Sequence, residues 1–156
     1  HNYLHGTSLA DKGTAIVKGW QASSPSNKVF NNIEISGNMV ESFDEGVSLI
    51  SNKIGNFNAV YVFNNVFNGF FSEGTKAGTY GVYAKKYVTN LNVKHNTFAN
   101  LTLAGVRVSN QSVATIQNNI FFNASNNYYL DTKGVITGGH NLIGATTSLP
   151  LKIALI

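Results

Sequence analysis

Leu91–Leu101, LNVKHNTFANL, is the stretch on which the fold turns. Leu91 and Val93 alternate with polar residues, the chain bends at Asn96, and apolar residues resume at Phe98 and Leu101. Nearly the same order recurs elsewhere. IEISGNMV holds Ile33, Ile35, Asn38 and Val40, and VYVFNNVF holds Val60, Val62, Asn65 and Phe67. ATIQNNIF holds Ala114, Ile116, Asn119 and Phe121, and the looser VITGGHNLIG keeps Val135, Asn141 and Ile143. The successive Asn residues stand 27, 31, 23 and 22 residues apart. An internal repeat of this size takes precedence over every other pattern.

Alternation with a period of two predicts short strands with one buried face. A unit so small cannot bury that face alone, so it must stack on its own copies, strand above strand at roughly 4.8 Å. The equivalent Asn side chains then stack as well, each amide bonding its neighbours along the column and serving backbone groups at a buried turn. Asn also tolerates left-handed backbone geometry, which suits a bend. His95 and His140 each precede an Asn of the column and are expected at turn corners.

A Gly-led strand follows in each unit: Gly46-Val47-Ser48-Leu49, Gly81-Val82-Tyr83-Ala84 and Gly105-Val106-Arg107-Val108. Tyr128-Tyr129-Leu130-Asp131 takes the corresponding place in the next unit. Strand, Asn turn, strand, Gly-led strand resembles the right-handed parallel β-helix of the pectate-lyase-like superfamily, over most of the chain from about Asn2 to Gly144. The resemblance implies an all-β, single-stranded solenoid of about five to six coils with an Asn column. An antiparallel β-sandwich also has many short strands, but it does not predict the same Asn at the same point of each unit.

The chain of 156 residues fits one domain, 1–156. His1–Gly6 reads like the middle of a coil, which predicts a piece of a longer protein. Leu149–Ile156, LPLKIALI, breaks the repeat and is expected to be a closing strand or cap. Trp20 lies in a loop and is expected to fold over the stack as a lid, and the insertion from Phe70 to Thr79 reads as a rim loop.

Composition narrows the function. With 12% charged residues the chain lacks the solvated faces that helices usually carry. It has no cysteine, which excludes disulfides and thiolate metal sites. No apolar run approaches membrane length, so no membrane span is expected. The net charge of +4 includes no basic run, so nucleic acid is not an expected partner, whereas an anionic polysaccharide suits a mildly positive surface. His1, His5, His95 and His140 are too dispersed to form a metal set.

Outward strand positions are the ones available for function. One column reads Ser48, Tyr83, Arg107, Tyr129, and a second beside it reads Ile50, Lys85, Ser109, Asp131. A Tyr83–Arg107–Tyr129 ladder would span about 10 Å. Tyrosine faces stack on sugar C–H surfaces, and Arg107 can grip a uronate or sulfate by charge-assisted hydrogen bonds. Glycoside hydrolysis asks for two carboxylates about 5 to 9.5 Å apart, and outside one turn the acids are scattered. That turn holds Glu41, Asp44 and Glu45, three of the seven acids, and is a candidate Ca²⁺ site. No other cofactor is expected.

His1–Gly6 (HNYLHG) and Ser48–Lys53 (SLISNK) also look like the HNYF and IISNK stretches of chondroitinase-B-type and alginate lyases. The resemblance implies β-elimination from a uronate with Lys53 as proton acceptor. The partner Arg implied one coil later is replaced here by Lys85 or Lys86, and Ser48 stands where a Ca²⁺-binding Glu is implied, with Glu45 the nearest acid. The expected catalytic set is therefore Lys53, Lys85 and Arg107, and the expected substrate-binding set is Tyr83, Arg107 and Tyr129. The whole reads as a secreted or cell-surface, carbohydrate-active domain that binds or cleaves an acidic polysaccharide. The alternative is a non-catalytic adhesin or tail-fibre-like spacer.

Overall fold

The computed structural model describes residues 2–6, 13–19, 29–54, 56–57, 59–69, 79–131 and 133–144. The Trp20 loop, the insertion at 70–78 and the closing segment 149–156 lie outside the described residues. Strands β1 (Asn2–His5) and β2 (Thr14–Gly19) open the order. Three-strand coils follow: β3 (Ile33–Ser36), β4 (Asn38–Glu41), β5 (Glu45–Ile50), then β6 (Val60–Phe63), β7 (Val66–Asn68), β8 (Tyr80–Lys86). The next are β9 (Leu91–Lys94), β10 (Thr97–Ala99), β11 (Ala104–Val108), then β12 (Val113–Gln117), β13 (Ile120–Phe122), β14 (Tyr128–Leu130). Strands β15 (Val135–Gly139) and β16 (Leu142–Ile143) complete the described order.

Every third strand pairs, always in parallel, and three sheets result. The first sheet runs β3-β6-β9-β12-β15, the second β1-β4-β7-β10-β13-β16, and the third β2-β5-β8-β11-β14. The fold is a right-handed parallel β-helix, as the repeat predicts. Inward positions stack like on like: Val47, Val82 and Val106 share one register, as do Val62 and Val93. All five are fully buried.

The second sheet supplies three of the four fully buried phenylalanines among the described residues. Phe67, Phe98 and Phe121 are in register and stack face to face, with centroids 5.2 and 5.0 Å apart and ring planes within 9° and 10°. This stack explains the leading glycines of the third sheet. A Cβ at Gly46, Gly81 or Gly105 would lie 2.5, 2.4 or 2.3 Å from the ring of Phe67, Phe98 or Phe121, respectively. Only glycine lets the third-sheet backbone come so close to the rings.

The Asn column is continuous. The amide nitrogen of Asn2 donates to Oδ1 of Asn38 at 3.0 Å. Asn38 then donates from both its backbone N–H and its Nδ2 to Oδ1 of Asn65, at 2.9 and 3.0 Å. The same double bond runs from Asn65 to Asn96, from Asn96 to Asn119 and from Asn119 to Asn141. The left-handed residue is not the column Asn itself, as the repeat suggested, but the one before it: Gly37, Asn64, His95, Asn118 and His140 have φ of 66°, 54°, 55°, 55° and 56°. The column Asn opens or directly precedes the next strand with its side chain turned inward, so the reversal falls one residue earlier. His95 and His140 occupy these corners.

A second polar ladder follows the second sheet. Nδ2 of Asn123 donates to Oδ1 of Asn100, Nδ2 of Asn100 to Oδ1 of Asn68, and Nδ2 of Asn68 to Oε1 of Glu41, each at 2.9 Å. One correction concerns the outward column at the end of the third sheet. Leu49 pairs with Ala84 but Ile50 with Lys86, so Lys85 is an extra, bulged residue and does not stand beside Ile50. A bulge re-aims its side chain.

Candidate functional site

The outer face of the third sheet gathers the most chemistry. Register puts Ser48 beside Tyr83, Tyr83 beside Arg107, and Arg107 beside Tyr129, as the repeat predicts. The Arg107 guanidinium carbon lies 4.5 Å from the Tyr83 ring centroid, 5.4 Å from that of Tyr129 and 5.2 Å from that of Tyr80. Its Nη1 donates to the Tyr80 hydroxyl and its Nη2 to Oδ2 of Asp131, both at 2.7 Å. Burial is the strongest influence and works against the charge, but the bond to Asp131 together with Tyr83 and Tyr80 outweighs it and holds the guanidinium above its ordinary pKa. Burial likewise pushes the Tyr80 hydroxyl above its usual value, with Arg107 pulling against it.

Lys85 joins the same face from the bulge. Its Nζ lies 2.9 Å from Oε1 of Glu45 and 5.3 Å from the Tyr83 ring centroid. Thr14 donates its hydroxyl to Oε2 of Glu45 at 3.0 Å. Tyr83 is thus flanked by two cations, each neutralised by a carboxylate. Ser48 and Ser109 are both buried, and the Ser109 hydroxyl lies 3.4 Å from that of Tyr83. Only Tyr129 of the ladder is largely open to solvent, at 46%.

Lys53 stands exposed on the turn after β5, where its backbone N–H and C=O both close on the Ser51 hydroxyl. The contacts that knit Glu45, Lys85, Tyr83 and Arg107 together are made without it. The acidic turn does not gather its carboxylates. Glu41 sits on the second sheet, where its carboxylate accepts from Nδ2 of Asn68 at 2.9 Å and from the Tyr3 hydroxyl at 2.7 Å. Those bonds, with His5 nearby at 3.7 Å, hold the Glu41 carboxyl below the usual carboxylate range and raise the Tyr3 hydroxyl. Glu45 faces out from the third sheet, and the Asp44 carbonyl accepts the Tyr80 N–H at 2.8 Å. Among the described residues no group of three His, Asp or Glu is placed to hold a metal.

Two features escaped the sequence reading. Tyr80, the third ring around Arg107, immediately precedes Gly81, as Glu45 precedes Gly46. That outward position beside each leading glycine is readable from the repeat. The second is on the outer face of the second sheet, where Tyr3, Met39, Val66, Thr97, Ile120 and Leu142 stand in one register column. All but Thr97 are exposed large hydrophobic residues, Leu142 reaching 65%. Each directly follows an Asn of the column, so the sequence announces this stripe as plainly as the core. No helix long and apolar enough to cross a membrane occurs among the described residues.

Comparison with known proteins leaves the chain on its own geometry: no family model, no curated protein and no solved structure matches it.

Proposed function

We propose that this is a secreted, pectate-lyase-like β-helix domain that binds an acidic polysaccharide along the outer face of its third sheet. The observation that carries the reading is the Arg107 guanidinium held between the rings of Tyr83 and Tyr129. An Arg fixed between aromatic faces loses little freedom on binding, and it offers charge beside an apolar surface suited to sugar C–H groups. The ladder extends over about 10 Å of a straight, repeating surface, a shape matched to an extended chain of sugars. Binding is favoured over β-elimination, because Lys85 and Arg107 each already hold a carboxylate.

Those same internal ion pairs favour a second reading, a rigid spacer whose surface is satisfied by its own side chains. Titrating the protein with alginate, chondroitin and polygalacturonate, followed by calorimetry, separates the two. Binding to at least one, weakened about tenfold or more in Tyr129→Ala, is expected from loss of one stacked ring. Ultraviolet absorbance of unsaturated uronate in the same mixtures, lost in Lys53→Ala, would reveal elimination instead. Binding to none of the three would leave the spacer.

A further inference from the structure

We propose that Lys86 and Lys133, at the corner where the chain leaves the third sheet, hold the acid groups of a glycan whose rings lie along Tyr83, Arg107 and Tyr129. The inference rests on the glycan-binding reading above and supplies the residues that make that face select an acid.

Backbone pairing carries the register of the third sheet past the ends of its strands. Ile50 pairs with Lys86. The Tyr87 N–H donates to the Asn110 carbonyl and the Gln111 N–H to the Lys133 carbonyl, both at 3.1 Å. Lys86, Asn110 and Lys133 therefore form one column, at the levels of Tyr83, Arg107 and Tyr129 respectively. The two lysines stand two coils apart, about 10 Å, which is the span of the ladder itself. From Tyr83 to Lys86 is three residues of strand, again roughly 10 Å. The flexible four-carbon stem of a lysine and the acid arm of a sugar can close that gap between them.

Charge marks this corner out. Lys86, Asn110 and Lys133 are all exposed. Lys85 and Arg107 hold the carboxylates of Glu45 and Asp131, whereas among the described residues no carboxylate pairs with Lys86 or Lys133. The Lys86 Nζ lies 4.9 Å from the Tyr87 ring centroid, a contact that leaves its charge unneutralised. Asn110, on the level between, is uncharged and donates its Nδ2 to the Lys85 carbonyl at 3.1 Å. Lys133 has a φ of 61° and Asn110 one of 49°, a left-handed shape that Asn adopts more readily than Lys. The corner thus carries a lysine where backbone conformation alone favours another residue. Two uncompensated cations beside an aromatic ladder attract an anionic chain and add nothing for a neutral one. Lys86 and Lys133 are specificity-determining residues, one at each end of the ladder.

The test measures binding of alginate, chondroitin and polygalacturonate, with a neutral glucan alongside, to Lys86→Gln, Lys133→Gln and the two combined. Lys94→Gln, which removes one charge from the first sheet instead, and Tyr129→Ala are the companion variants. Thermal melting confirms that each protein is folded. The combined variant is expected to bind the acidic polymer about tenfold more weakly at low salt, and each single corner variant about threefold. Added salt should weaken the unaltered protein more than the combined variant. Lys94→Gln should bind as the unaltered protein does, and affinity for the neutral glucan should not change. If an acidic polymer binds, Tyr129→Ala weakens it and the combined variant binds undiminished, the corner lysines are not the seat of the acid, and the binding face stands. Equal losses in Lys94→Gln and the single corner variants would mean that only net charge is felt, and the proposal fails. If no acidic polymer binds the folded protein, the glycan-binding reading itself falls, and this inference with it.

Discussion

Asn96 serves three backbone groups and two side chains with a single amide. Its Nδ2 lies 2.8 Å from the Val62 carbonyl, 3.0 Å from that of Lys94 and 3.1 Å from Oδ1 of Asn119. Its Oδ1 accepts the backbone N–H and the Nδ2 of Asn65. Asn96 is buried, so truncation strands several polar groups at once, each costing about 1–3 kcal/mol. Asn96→Ala is therefore expected to lower stability by about 3–5 kcal/mol. Asn92→Ala, on the outward face of the same turn of chain, should stay within about 0.5 kcal/mol. Urea unfolding of the two variants tests the contrast, and comparable losses would show that the column is not a principal support. Asn96 was legible because the same letter recurs at the same place in every unit. The left-handed corner before it was not, since Gly37, Asn64, His95, Asn118 and His140 share a backbone shape but no common side chain.

At the scale of the element, the second and third sheets are fitted to each other through the phenylalanine stack. Gly81 illustrates the constraint: a Cβ there would stand 2.4 Å from both Cδ1 and Cε1 of Phe98 and 2.7 Å from the Gly105 carbonyl oxygen. Phe98 cannot yield freely, being pressed between Phe67 and Phe121. Gly81→Ala should cost about 3 kcal/mol through overpacking. Adding Phe98→Leu should recover part of that loss, a non-additivity expected of touching residues. A double-mutant cycle on the melting temperature measures it, and strict additivity would refute the fit. Element boundaries and the inward faces could be read from alternation alone. The bulge at Lys85 could not, because one extra residue in β8 leaves the apolar pattern around it intact. The candidate site shows the same division: Tyr83, Arg107 and Tyr129 align by register, which repeats encode. The bonds from Arg107 to Tyr80 and Asp131 depend instead on how far a long side chain leans along the strand, which spacing does not specify.

For the whole molecule, strand pairing among the described residues joins adjacent coils, so stability is approximately a sum over coils and their contacts. Amides of β9 to β11, bounded by coils on both sides, should exchange with solvent most slowly, and those of β15 and β16 fastest. The inward residues Ile136 and Ile143 are only half-buried, whereas Ala114 and Phe121, in register with them one coil earlier, are buried. Uniform exchange rates along the coils would instead indicate one all-or-none unit. The two amide ladders give this stack a direction. In the inner ladder every amide-to-amide bond is donated toward the higher-numbered coil, from Asn2 onward to Asn141, while the Nδ2 groups of Asn65, Asn96, Asn119 and Asn141 also reach back to carbonyls of the coil before. In the outer one every donor points back, from Asn123 to the carboxylate of Glu41. The molecule thus carries two opposed runs of amide-to-amide bonds, the outer one ending with its donor end on an anion, as a helix N-terminus ends on a bound phosphate. Such a stack is polar in the sense that a filament is polar: its two ends differ chemically, and a further coil can be spliced in at any level only if it keeps the same heading.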